Sequence, residues 1–280
     1  MSSPPANRID PIRIEVIGSA LSSIVEEMGE ALVRASFSTN IKERRDCSTA
    51  LFDRHGATLC QAEHIPMHLG SFIGIIPEIL RRHPAEAMRP GDVFIGNDAY
   101  AGAGTHLPDI VLGEPIFVDG RIVAWAVNTA HHADFADRRH AHIYQEGLRI
   151  PPIRLYRAGE LQQDVQELIL LNCQVPSERL SDLRAQMAAN RLGVQRMQAL
   201  CRKYGTDIVL AVGDALCRTM PSARCAPRSR HCQTAPTGLA TPTTIPSSAA
   251  PFRCRSRSRS RAARCGCTSR AHRRCGPGST

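Results

Sequence analysis

The sequence predicts a mixed α/β (α+β) body with a long N-terminal helix, a mixed sheet that includes a hairpin, and C-terminal helices, followed by a disordered basic tail. Three observations carry this reading. Apolar residues recur at helical steps through Ile14, Ile17, Leu21, Ile24, Met28 and Leu32, and again through Leu180, Leu183, Met187, Leu192 and Met197. Short strand-like runs separated by turn residues lie between those two stretches. Acid then vanishes: the last of the 26 Asp and Glu residues is Asp214, whereas 13 of the 35 Lys and Arg residues lie after Cys217.

Asp10-Pro11 opens the first helix with a capping side chain and an imide suited to a first turn, and the apolar stripe carries that helix to about Ala35. Ser48 to Phe52 and Ala57 to Gln61 read as strands around Asp53-Arg54-His55-Gly56, and Ser71 to Arg82 as a helix. Asp92 to Gly96 follows a Pro90-Gly91 turn. Ile110 to Val118 and Arg121 to Asn128 flank Asp119-Gly120, a strong two-residue hairpin signal. Helices return over Leu161 to Asn172 and Ser177 to Tyr204, where Gly205 is a left-handed stop, with a further helical stretch at Ala211 to Leu216. There is no internal repeat.

The formal charge of +9 belongs to the tail, so it does not argue for a nucleic-acid partner of the body. From Arg218 onward the chain has no acid and few large apolar anchors, too few to offset the entropy of folding. Arg253 to Arg261 resembles an arginine-serine segment that would bind RNA phosphates through charge alone. The abrupt shift to Arg, Cys, Ser, Pro, Ala and Thr in mid-helix is what reading a GC-rich gene out of frame produces, and that is the preferred reading. Four scattered cysteines in the body, with no apolar leader at Met1 to Arg8, point to a reducing cytoplasm. No apolar run approaches the roughly 20 residues that span a bilayer.

Asp46, His106, Asp109 and His131 are the candidate metal ligands, since carboxylates and imidazoles hold hydrolytic cations. In Gly104-Thr105-His106-Leu107-Pro108-Asp109 the proline excludes a regular helix and the glycine permits a tight turn, so two ligands converge from one loop. Asp109 precedes one hairpin strand and His131 lies just past its partner, which returns the histidine to the same end. His131-His132 leaves open which ring faces the site, and His64 and His68 are read as pocket-lining or supporting groups. No Gly-x-x-x-x-Gly-Lys-Ser/Thr phosphate loop or dinucleotide fingerprint is present, and neither Ser71 nor Cys47 lies in an activated-nucleophile motif.

Several ordered stretches resemble the hydantoinase B/5-oxoprolinase family, which includes the B-type chains of N-methylhydantoinases and the alpha chains of acetone carboxylases. They are Asp10-Pro11-Ile12, Ile41-Lys42-Glu43-Arg44-Arg45-Asp46, Ala50-Leu51-Phe52-Asp53, His64-Ile65-Pro66-Met67-His68-Leu69-Gly70-Ser71 and Pro90-Gly91-Asp92-Val93-Phe94. They continue through Gly104 to Asp109, His131-His132-Ala133-Asp134, Ile143-Tyr144-Gln145-Glu146-Gly147-Leu148 and Asp182-Leu183-Arg184-Ala185-Gln186. The resemblance covers about Asp10 to Leu216, so residues 1–216 are expected to form a truncated family domain and 217–280 the tail.

The resemblance implies that Asp46, His106, Asp109 and His131 bind a divalent cation, zinc, manganese or iron. His132 and Glu146, inside matched motifs, are the candidate catalytic residues. It further implies an ATP-using partner similar to hydantoinase A, which activates a small cyclic amide such as 5-oxoproline or a hydantoin for ring opening at this chain. A ketone carboxylase chain is the alternative on the same scaffold, and an inactive truncated product is another. Two departures stand out. Phe135 to His142 replaces a longer glycine-rich loop of the family, and the tail replaces the family's second half.

Overall fold

The computed structural model describes residues 10–63, 68, 74–102, 104–133, 135 and 142–219. The chain divides into two units, Met1–Arg228 and Ser229–Thr280, and every described residue belongs to the first. The readings placed on His64, on Ser71 and on the arginine-rich tail lie outside the described residues.

Helix α1 spans Pro11–Ala35, and the Asp10 side chain accepts from Ile12 N at 3.0 Å, the capping bond expected of this dipeptide. The short α2, Thr39–Lys42, leads into strands β1, Cys47–Asp53, and β2, Thr58–Glu63. Helix α3, Ile75–Arg82, and strand β3, Val93–Gly96, precede the long hairpin of β4, Asp109–Val118, and β5, Arg121–His131. Asp119 and Gly120 have φ of 50° and 75°, the paired left-handed conformations that a two-residue turn requires to match strand twist. The one-turn α4, Ile143–Glu146, is followed by β6, Ile153–Arg157, and β7, Glu160–Leu161. Helices α5, Gln163–Leu171, α6, Pro176–Tyr204, and α7, Thr206–Thr219, complete the described chain.

The strands form one seven-stranded sheet ordered β2-β1-β5-β4-β3-β6-β7. The architecture is mixed α/β as expected, but the sheet differs from the expected mixed one: every strand pairing is antiparallel. Tight turns explain half of the six pairings, because β1–β2, β4–β5 and β6–β7 are each joined by a few residues and a short connection returns the chain antiparallel, whereas β1–β5, β3–β4 and β3–β6 meet through longer connections. The β6–β7 hairpin escapes sequence reading because an alanine, Ala158, takes φ of 49° at its turn. That conformation is held by Asp92 Oδ1, which accepts from Ala158 N at 2.7 Å.

Helices cover both sheet faces. On one, Ile17, Leu21, Val25 and Met28 of α1 pack with Leu51, Ala124 and Ala126 of the sheet and with Met197, Leu200, Val209 and Val212 of α6 and α7. On the other, Ile75, Ile76 and Ile79 of α3 cover Ala50, Phe52, Phe94, Val111, Trp125 and Val127. Each fully buried large apolar side chain contributes roughly 1.5–3 kcal/mol relative to exposure. No described helix is long and apolar enough to cross a membrane.

Candidate metal centre

The site is built by strand register. Asp109 is the first residue of β4 and His131 the last of β5, and the two are direct partners. Both residues therefore lie inside the strands rather than beside them, because β5 runs three residues further than the Asn128 expected from sequence. On the other edge of β5, His131 N donates to Asp46 O at 2.9 Å, just before Cys47 pairs with Ala130. Asp46, His131 and Asp109 thus form a row across three adjacent strands, in steps of roughly 4.8 Å. Side chains alternate along strands, so these three share the face of Ala50, Val111 and Val127, the face that α3 covers further along. Arg45, immediately before Asp46, has φ of 57°, a conformation that costs energy for a side-chain-bearing residue.

His106 joins the row from the loop before β4. Its Nε2 lies 3.2 Å from Asp109 Oδ1 and 3.1 Å from His131 Nδ1, and His131 Nδ1 lies 3.2 Å from the same carboxylate oxygen. Among the described residues, His106, Asp109 and His131 form the cluster with metal-holding geometry. Tetrahedral zinc with bonds of about 2.0–2.1 Å places neighbouring ligand atoms about 3.3 Å apart, so this triangle has the edge length of a coordination face. Two nitrogens and one carboxylate oxygen also suit zinc, manganese or iron by donor type.

The electrostatics agree with that use. Burial opposes ionisation of Asp109, but hydrogen bonds from His106 and His131 outweigh it and hold the carboxyl far below its usual range. The hydrogen bond to Asp109 pushes His106 up to about 9. The buried carboxylate therefore draws positive charge to one point, a proton or a cation. Thr105 occupies the other carboxylate oxygen: its hydroxyl donates to Asp109 Oδ2, and its N–H donates there at 3.3 Å. Gly104 makes the close turn possible, with φ of 76° and Asp109 O only 2.7 Å from where a Cβ would stand.

Glu146 lies behind His106 and takes no place in the triangle. Its Oε1 is 3.3 Å from His106 Nδ1, and its Oε2 accepts from Leu107 N at 3.1 Å. A carboxylate on Nδ1 keeps the proton on that nitrogen, so that a cation displacing the Nε2 proton would meet the Nε2 lone pair. His132 is brought elsewhere. It is fully buried on the opposite sheet face, with Nε2 2.9 Å from Gln186 Oε1, and burial with nearby Arg179 pushes it down to about 3.

Asp46 ends the row outside the triangle, with its carboxylate against His68, a pocket-lining or supporting group by sequence. His68 Nε2 lies 3.4 Å from Asp46 Oδ1, and His68 Nδ1 lies 3.2 Å from Ser48 Oγ. The Cys47 side chain is fully buried, and burial pushes its thiol up to about 12, which disfavours the reactive thiolate. Thr105, Ser48 and Gln186 carry no role that the sequence alone reveals. Thr105 and Gln186 stand inside quoted motifs, but only the three-dimensional contacts give them partners.

Two imidazoles and a carboxylate gathered at the ends of antiparallel strands define a protein with a metal-type donor set on an α+β scaffold. The chain belongs to the Hydantoinase B/oxoprolinase family, whose pattern it matches over residues 10–224. It is 42% identical over 207 residues to an uncharacterised protein of Methanocaldococcus jannaschii, covering 70% of this chain and 36% of that one. It is 35% identical to a 5-oxoprolinase of Dictyostelium discoideum (72% of this chain, 16% of that one). With the beta chain of the caprolactamase of Pseudomonas jessenii it shares 34% identity (73% of this chain, 36% of that one).

The crystal structure of the ATP-dependent caprolactamase of Pseudomonas jessenii superposes with a TM-score of 0.69 at 34% identity, over 75% of this chain and 37% of that one. Nucleotide-free acetone carboxylase shares the fold at a TM-score of 0.67 and 18% identity, over 74% of this chain and 28% of that one. The chain thus spans little more than a third, at most, of the length of these relatives.

Proposed function

We propose that this chain is the B-type part of an ATP-dependent cyclic-amide hydrolase, and that Asp46, His106, Asp109 and His131 hold a divalent cation where the activated ring opens. The triangle of His106 Nε2, His131 Nδ1 and Asp109 Oδ1, with edges of 3.1–3.2 Å, is the observation that carries the reading. Relatives named as a 5-oxoprolinase, as the B component of a hydantoinase and as the beta component of a caprolactamase support the substrate class and the need for a partner. ATP is assigned to that A-type partner, which would phosphorylate the amide oxygen of a lactam or cyclic imide.

A cation held by these donors would supply Lewis acidity at the activated carbonyl. The residues of this chain prepare the point at which it acts. Asp109 offers Oδ1 to the cluster because Thr105 occupies Oδ2. Glu146 acts as a positioning residue that fixes the His106 tautomer, and His68 holds the Asp46 carboxylate. His132 lies across the sheet from the reacting atoms.

Co-purification of the full chain with an ATP-using A-type partner tests this. ATP consumption that depends on 5-oxoproline, a hydantoin or caprolactam, and not on bicarbonate, is the expected result. Consumption that requires a ketone and bicarbonate would assign the chain to carboxylation, and none with any of these compounds would overturn the reading.

A further inference from the structure

The motif Asp182-Leu183-Arg184-Ala185-Gln186 has no role in the cluster, yet it lies on a helix face that breaks the usual rule of burial. Where α6 crosses the sheet it presents Arg179, Asp182, Gln186 and Asn190, at helical steps, and all four are at most 2% exposed. Burying such groups costs free energy unless each is bonded, and apolar replacements of similar volume are often as stable or more so. Here all four side chains bond to segments that lead into or out of the candidate ligands: the start of β4, the end of β5 and the chain before α2.

Gln186 is the centre of the arrangement. Its Nε2 donates to Ile110 O and to Asn128 Oδ1, both at 2.8 Å, and its Oε1 faces His132 Nε2 at 2.9 Å. Asn128 Nδ2 donates to Gln186 O and Asn190 Oδ1, both at 2.8 Å, and Asn190 Nδ2 donates to Leu112 O at 3.2 Å. The orientation is forced. Main-chain carbonyls of Ile110 and Leu112 only accept, so both amide nitrogens must point to them, and Gln186 Oε1 is left as an acceptor. His132 must therefore carry its proton on Nε2. Its Nδ1 meets no hydrogen-bond partner among the described residues.

Ile110 follows Asp109 in β4, and His132 follows His131 at the end of β5, so Gln186 bridges the two strands beside the rung that holds two ligands. Arg179 donates to Ala133 O and lies 3.9 Å over the Phe135 ring, fixing the chain beyond His132. Asp182 Oδ1 accepts from Phe37 N at 2.7 Å and Ser38 N at 3.2 Å, fixing the approach to α2 and Asp46.

We propose that the polar face of α6 is a positioning device, with Gln186 and His132 as its central pair, that sets the spacing of the Asp109, His131 and Asp46 segments on the other side of the sheet. This inference rests on the metal-site reading above. His132 acts in it as a positioning residue: it locks the end of β5 to α6, while its neighbour His131 turns to the site.

The test uses the full chain and zinc as the probe. Gln186→Met, similar in volume but without the amide, should weaken zinc affinity about 10- to 100-fold, the usual effect of losing a group that supports a ligand. Met197→Ala, in the apolar cluster further along the same helix, should lower the melting temperature and leave zinc affinity within about twofold. Gln186→Glu, which keeps an acceptor for His132 and loses the donors to Ile110 and Asn128, gives a second reading should the methionine variant fail to fold.

Nitrogen chemical shifts of the wild type should show His132 protonated on Nε2 alone. Equal zinc affinity in the wild type and the Gln186 variants, an equal loss in Met197→Ala, or a proton on His132 Nδ1 would overturn the inference while leaving the metal site standing. A wild type that binds no zinc would overturn the site reading itself, and this inference with it.

Discussion

Asp109 and His131 are partners in the last rung of the β4–β5 hairpin, and their side chains meet 3.2 Å apart on one face of the sheet. The Asp119-Gly120 turn and a one-residue register shift between Ile116 and Phe117 together set this pairing, and a further slip by one residue would send one of the pair to the opposite face. The site thus inherits its precision from the strand pairing. Asp109→Ala is expected to leave the fold intact and abolish stoichiometric metal binding, measured by elemental analysis of protein purified without chelator. Stoichiometric metal in that variant would remove Asp109 from the ligand set.

Glu146 supports the site from behind. Glu146→Gln keeps the size of the side chain but weakens its hold on His106 Nδ1 and Leu107 N. The expected outcome is about a 10- to 100-fold loss of zinc affinity by competition with a chromophoric chelator, with little change in melting temperature. Unchanged affinity would show that the imidazole is oriented by other contacts.

Gly104 couples backbone conformation to the same point. An alanine there meets Asp109 O at 2.7 Å and must adopt φ of 76°. Gly104→Ala is expected to cost about 1–3 kcal/mol in chemical denaturation and to weaken metal binding as the Asp109 loop shifts. Wild-type values for both would mean that the loop relaxes freely.

Glu114 sets a pH dependence of its own. It is 6% exposed, Oε2 has no hydrogen-bond partner among the described residues, and burial pushes its carboxyl up to about 7. The unfolded value is about 4.3. A raised folded-state value means that the native form holds the proton more tightly, so this contribution is complete below the unfolded value and is lost as pH rises through about 7. From about pH 4.5 to 8, stability should fall by up to roughly 3 kcal/mol through this group. Glu114→Gln should flatten that slope in urea titrations across the range. An unchanged slope would assign it to other groups.

Much of this architecture is legible in the sequence because its signals are local. Asp10-Pro11, the apolar stripe of α1, Asp119-Gly120 and Gly205 each act over a few residues, and each stands where the residues suggest. The sheet order is not local: β1 pairs with β5 across roughly seventy to eighty positions, and nothing near Asp46 announces that its carbonyl will meet His131 N. Of the residues brought together, His106, Asp109 and His131 were readable as donor types near a hairpin. The separation of His131 from His132 required the strand to extend through His131, since alternation then sends the two rings to opposite faces. Gln186 was readable only as part of a motif, because its partners lie more than fifty residues away.

The most direct measurement is anomalous X-ray scattering at the zinc and manganese edges from crystals of the full chain grown with each ion. The account predicts one peak per chain, bonded to His106 Nε2, Asp109 Oδ1 and His131 Nδ1, with Asp46 completing the protein ligands. A peak held by other residues, or none at that triangle with ion in excess, would contradict it.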